Sequence, residues 1–216
     1  MFSDPLTKRF RVGPPRESPV QPPLPASFTR RSNGLRELLG HLSGQEGLRI
    51  LDLGPACQAN INFITGLGHT IFNEDLYGEV TQHPGPAKGA EGWNVASFLE
   101  QNLSYREGLF DAVLCWDALD WLPDPAGAAD IVLRLGTITK PGGAVLLFFH
   151  TTDPGTSLSI HRTQIAGPDS LYLHPRGQFT LQRSLNNRNI ERLFRQFHAL
   201  KFFLTTDNLR EVLAVR

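Results

Sequence analysis

The segment LDLGPACQANINFI, Leu51 to Ile64, decides the fold: a short apolar run from Leu48 to Leu53 ends in Asp-Leu-Gly, passes through a short loop and opens a helix near Asn60. Gly54 lets the chain turn sharply without a side-chain clash, and the free amides of a helix start can receive a ligand's polar groups. About twenty residues after Gly54, Glu74 and Asp75 close the next apolar run, His69 to Asn73. That separation suits a carboxylate that accepts hydrogen bonds from both ribose hydroxyls of a nucleoside cofactor.

Outward from this unit the same pattern repeats. Phe110 to Trp116 and Ala144 to Phe149 are short apolar runs of the kind that form buried parallel strands. Between them Ala128, Ile131, Val132, Leu135 and Ile138 recur at helical spacing, and Lys140 to Gly143 (KPGG) supplies a tight stop before the next strand. Upstream, Leu35, Leu38, Leu39 and Leu42 share one helical face. Downstream, Ile190, Leu193, Phe194 and Phe197 form a stripe behind the capping residues Asn186 and Asn187, and the runs Ala199 to Leu204 and Arg210 to Val215 suggest a closing hairpin. Alternating strands and helices imply an α/β, doubly wound sheet whose ligands lie beyond the carboxyl ends of its strands, so function belongs in the loops after Leu53, Asn73, Trp116 and Phe149. SLYLH and QFTLQR alternate around Pro175-Arg176-Gly177, which reads as a hairpin inserted within residues 155–184 and placed to cover the site. No strand is readable between Glu79 and Gln101.

The first 33 residues read differently. Pro5, Pro14, Pro15, Pro19, Pro22, Pro23 and Pro25 deny this stretch regular backbone bonding, so it is expected to be a flexible or extended leader to a domain spanning residues 34–216. Residues 1–31 carry six basic against two acidic side chains, about +4, in a chain whose net charge is zero. Such a balance gives no strong signal for nucleic acid, and the basic leader reads as a solvated tail. The apolar runs fall far short of the roughly 20 residues that span a bilayer, and MFSDPLTKRF is not a secretory signal, so a cytoplasmic protein is expected. Cys57 and Cys115 are too few for a disulfide framework or cysteine zinc site and read as small buried apolar groups; no metal is called for.

These residues together resemble the class I S-adenosylmethionine-dependent methyltransferases. The likeness covers most of residues 48–216: LDLG as cofactor loop, Glu74 or Asp75 after the second strand, FDAVLCWDALDWLPDP as the fourth strand and its loop, KPGGAVLLFF as the fifth, and the terminal helix and hairpin. It implies a Rossmann-like, mostly parallel seven-stranded sheet with an antiparallel last strand. It also implies S-adenosylmethionine as cofactor, with S-adenosylhomocysteine as product. By position, Asp52 and Gly54 would hold the methionine end, Glu74 the ribose, with Asp75 capping the segment beyond it, and Glu100 or Asn102 the adenine. The chain departs from the family pattern where glycines are usual: Ala56 and Gln58 stand there, and Pro55 stiffens the loop.

Two further groups face the place of a methyl acceptor, a small or medium molecule. Trp116, Asp117, Asp120 and Trp121 follow the fourth strand, with Asp117 as a candidate base and Trp116 as a surface for a flat ring. His150 follows the fifth, and an imidazole titrating near pH 6.5 is a suitable proton acceptor. Two other readings compete: a non-catalytic binding or regulatory module, and a nicotinamide-dependent oxidoreductase, which the missing G-x-G-x-x-G disfavours.

Overall fold

The structure is a computed structural model and describes residues 26–76, 78, 94–122 and 127–216. The expected leader at residues 1–25 lies outside that range. In chain order the described elements are β1 (Phe28–Arg31), α1 (Asn33–Leu42), β2 (Arg49–Asp52), α2 (Gln58–Gly66), β3 (Thr70–Asn73), α3 (Val95–Asn102), β4 (Phe110–Trp116), α4 (Ala128–Ile138), β5 (Thr139–His150), β6 (Ser157–Gly167), β7 (Ser170–Thr180), α5 (Asn187–Leu193), β8 (Ala199–Leu204) and β9 (Leu209–Val215).

Six strands form the main sheet in the order β3-β2-β4-β5-β9-β8. β2 pairs in parallel with β3 and β4, and β4 with β5, while β9 runs antiparallel to both β5 and β8. The architecture is the expected α/β sheet with an antiparallel C-terminal strand. The expected strand count of seven is corrected to six among the described residues. Strand order reverses at β2, which puts the loops after β2 and β4 side by side, the crevice where doubly wound sheets hold ligands.

Period-2 alternation splits the core. Val113, Cys115, Val145, Leu147 and Phe149 point into a layer completed by Ile131, Leu135, Ile190 and Phe194. Ala112, Leu114, Trp116, Leu146 and Phe148 point the other way, onto Leu35, Leu38, Leu42 and Ile64. α1 can lie this close because Gly34 carries no side chain: a Cβ there would stand 2.7 Å from Leu146 Cδ1 and 2.9 Å from Glu211 Oε2.

Three local readings are corrected. KPGG does not end before the strand. It is looped out within β5, where Phe110 pairs with Thr139 but Ala112 with Ala144, and Gly142 takes φ 78°. The inserted hairpin turns at Pro168 and Asp169, not at Pro175-Arg176-Gly177, which lies inside β7 because residues on both sides of it pair with β6. The ordered fold also begins before residue 34. Phe28–Arg31 pairs antiparallel with β7, making a second sheet β1-β7-β6, and Ser32 caps α1 by accepting from Leu35 N.

β1 is held by a buried ion pair. Arg30 Nη2 donates to Glu211 Oε1 at 2.8 Å, and Glu211 Oε2 accepts from Gly34 N at 2.5 Å and Ser32 Oγ at 3.1 Å. No helix among the described residues is long and apolar enough to cross a membrane.

Candidate active site

The loop after β2 is organised around Asp52, whose side chain is wholly buried. Its Oδ1 accepts from Gly54 N at 3.0 Å and Trp116 Nε1 at 2.7 Å, and its Oδ2 accepts from Asn60 Nδ2 at 2.9 Å. Burial raises the carboxyl's pKa, and these three donors oppose the rise. Trp116 reaches Asp52 by adopting φ 52°, an uncommon conformation for a bulky residue, at a register shift between Leu114 and Trp116. The indole therefore locks two loops together. Asp52 and Trp116, singled out from sequence as ligand-contacting groups, use their polar atoms on each other.

α2 begins at Gln58, two residues before the expected start, and Gln58 turns outward to Asn62 at 2.8 Å. Asn60, buried on its first turn, donates to Thr163 O at 3.0 Å and accepts from Ile165 N at 2.7 Å. That amide pins β6 across the loop. The β6–β7 hairpin therefore lies against the loop after β2.

At the end of β3 the two carboxylates part. Glu74 Oε1 accepts from the Tyr105 hydroxyl, and Glu74 does not line the cleft beside Gly54. Asp75 does line it. Its oxygens accept from Arg176 Nη1 and Nη2, each at 3.2 Å, and Gly78 N donates to Oδ1 at 3.0 Å. The cleft holds about 20 Å³ between Gly54, Pro55, Asp75, Asp117, Ile160, His161 and Arg176. Glu100 and Asn102, on α3, do not reach it; Asn102 is buried and its Nδ2 donates to Phe98 O.

A second cavity, of about 310 Å³, adjoins this cleft: Asp117 and His161 border both. Arg30, Phe148, His150 and Asp207 also line it. The structure thus brings Asp117 and His150 to one space. Burial pushes the Asp117 carboxyl up to about 6, His150 opposing and Asp120 adding to the rise. Asp120 Oδ2 accepts from His150 N at 2.6 Å and contacts His150 Nδ1 at 2.9 Å. Burial works against the His150 imidazolium, but the Asp120 bond and the charges of Asp117, Asp120 and Asp207 outweigh it, so its pKa is raised. In the neutral ring an Nδ1 facing a carboxylate carries the proton, and Nε2 is then the acceptor nitrogen. His161 is lowered to about 4, chiefly by burial and then by His150 and Arg30, and is neutral at pH 7. A larger depression of about 480 Å³ between α4 and α5 touches none of Gly54, Asp75, Asp117 or His150.

Sequence reasoning missed Arg30, Tyr105 and Arg176 as partners of site residues. Nothing local marks them, since each partner lies at least 30 residues away in the chain. Asp120 was visible in the loop after β4, but not its pairing with His150.

Comparisons with known proteins agree with this architecture. A family profile described as methyltransferase domain matches residues 28–198. Among solved structures, an S-adenosylmethionine-dependent methyltransferase from Archaeoglobus fulgidus shares 11% identity over 84% of this chain and 91% of its own, with a TM-score of 0.51. One from Mesorhizobium loti shares 17% identity over 83% and 96%, with a TM-score of 0.50. At such identities the likeness is one of fold. No curated protein matches the sequence.

Proposed function

The chain belongs to the methyltransferase-domain family, and on that premise we propose that it transfers the methyl group of S-adenosylmethionine to a small acceptor lodged in the 310 Å³ cavity. The observation that carries this reading is the shared wall: Asp117 and His161 border both the cleft beside Gly54 and the cavity that holds His150. Donor and acceptor spaces in contact are what group transfer requires.

The residues at the donor cleft fit such a cofactor by type and position. Gly54 and the N-terminus of α2 would take the methionine end, and Asp75, rather than Glu74, would take the ribose. Bound there, the cofactor would supply an electrophilic methyl on a sulfonium sulfur. The room does not fit: about 20 Å³ accommodates roughly one water, whereas ligand sites run to 300 Å³ or more. On the acceptor side the chain's own groups are in place. Asp120 holds Nδ1 of His150, so that in the neutral ring Nε2 can take a proton, and an Asp117 carboxyl near 6 is ionised at neutral pH.

The shut cleft and the wholly engaged Asp52 favour one competing reading, a methyltransferase-like domain that binds a partner without chemistry. Thermal unfolding of the full chain separates the two. S-adenosylmethionine and S-adenosylhomocysteine should raise the melting temperature and nicotinamide cofactors should not, because ligand binding to the native state adds RT ln(1 + [L]/Kd). No shift at millimolar cofactor would favour the non-catalytic module.

A further inference from the structure

We propose that the middle of the β6–β7 hairpin is a gate over the donor cleft, and that Arg176 is its latch on Asp75. This rests on the reading of the Gly54 cleft as the donor site. Ile160, His161 and Arg176 come from the hairpin and close the cleft to about 20 Å³. The Arg176 guanidinium lies against both Asp75 oxygens at 3.2 Å, on the carboxylate left facing the cleft once Tyr105 has taken Glu74. Latch and ribose therefore compete for one side chain.

The hairpin's ladder is irregular where it covers the cleft. Its register shifts between Ile160 and His161, and opposite that shift stand Pro175, which has no N–H to give the ladder, and Gly177. The two ends are fixed. Toward the turn, β1 pairs Phe28–Arg31 with Leu173–Ser170, Ser32 N donates to Asp169 O, and Asn60 binds Thr163 and Ile165. At the base, Gly155 N donates to Leu181 O and Leu181 N to Thr156 O. A segment held at both ends and loosened between them can lift without unfolding the sheet. With side chains about 30% exposed, the latch is an ion pair worth little in water. It suits a contact meant to break.

The test is calorimetric titration of S-adenosylhomocysteine into the full chain and its Arg176→Ala and Arg176→Lys variants, together with amide hydrogen exchange of the free proteins. Release of the latch should tighten binding about two- to fivefold in Arg176→Ala, with Arg176→Lys between. Exchange at Ile160, His161 and Gly177 should quicken while Leu171 and Leu173 stay protected. Equal affinities with unchanged exchange overturn the gate and leave the donor reading intact. If neither the native chain nor Arg176→Ala binds at millimolar concentration, although exchange at the hairpin quickens, the donor reading fails and the gate with it.

Discussion

Replacing Arg30 with methionine tests the anchor of the first strand. The Arg30 and Glu211 side chains are 5% and 0% exposed, so neither charge is solvated by water. Without the guanidinium, Glu211 keeps Gly34 N and Ser32 Oγ but no counter-charge. Breaking one side of a buried pair costs about 3–5 kcal/mol. Methionine retains some of the packing over Phe148, whose ring centre lies 5.3 Å from the guanidinium carbon, so the low end of that range is the better expectation. At roughly 2–4 °C per kcal/mol for a domain of this size, scanning calorimetry at pH 7 should show a melting temperature about 6–12 °C lower. The deficit should depend on pH. Burial raises the Glu211 pKa against the pull of Gly34, Arg30 and Ser32. A raised carboxyl stabilises the fold below its ordinary value near 4.3, and that contribution is lost as pH rises through the folded value. Without Arg30 the folded value climbs further, so the deficit should shrink toward pH 4.5 and widen above it. An unchanged melting temperature at pH 7, or a deficit identical at pH 5 and pH 8, rules out the buried pair as the anchor.

Two other groups give distinct signatures. Asp117→Asn should stabilise the protein at pH 8, because a carboxyl raised to about 6 is ionised there at a cost of roughly 3 kcal/mol. The gain should vanish below about pH 4, where the native carboxyl is neutral in both states. Urea unfolding at the two pH values measures it, and no gain at pH 8 contradicts the assignment. Asp120→Asn should lower the His150 pKa and blur its tautomer, both visible by nitrogen-15 NMR of the ring. Since the raised His150 stabilises the fold below about pH 6.5 and the raised Asp120 loses its charge in stronger acid, the stability lost in Asp120→Asn should peak in mild acid, between the two titrations, and fade in alkali. A loss that is constant across pH would remove Asp120 as its partner.

The sheet was legible because its strands are short apolar runs with turn chemistry at their ends, and a buried parallel strand has no other way to read. β4 was placed to the residue, from Phe110 to Trp116, and β8 likewise, from Ala199 to Leu204. β1 was hidden. FTRR is four residues with two arginines, and it becomes a strand only because β7 offers an edge and Glu211 a buried counter-charge. The hairpin turn was misplaced because Pro-Arg-Gly has the composition of a turn, yet here it serves as a bulge opposite Ile160 and His161. That Asp117 and His150 border one cavity followed from their places at strand ends. Which of Glu74 and Asp75 lines the cleft was not legible, because Tyr105, whose hydroxyl bonds Glu74, lies 31 residues further along the chain.

The proposed methyl transfer requires a donor site between Gly54 and Asp75 and a hairpin that can be displaced from it. A crystal structure of the full chain grown with S-adenosylhomocysteine would reveal that site or its absence. The ribose hydroxyls should lie on Asp75, with Arg176 swung off that carboxylate and the product sulfur facing the cavity of Asp117 and His150. Crystals that hold the product elsewhere, or an Asp75–Arg176 pair still intact beside bound product, would show that the donor does not bind there in this way.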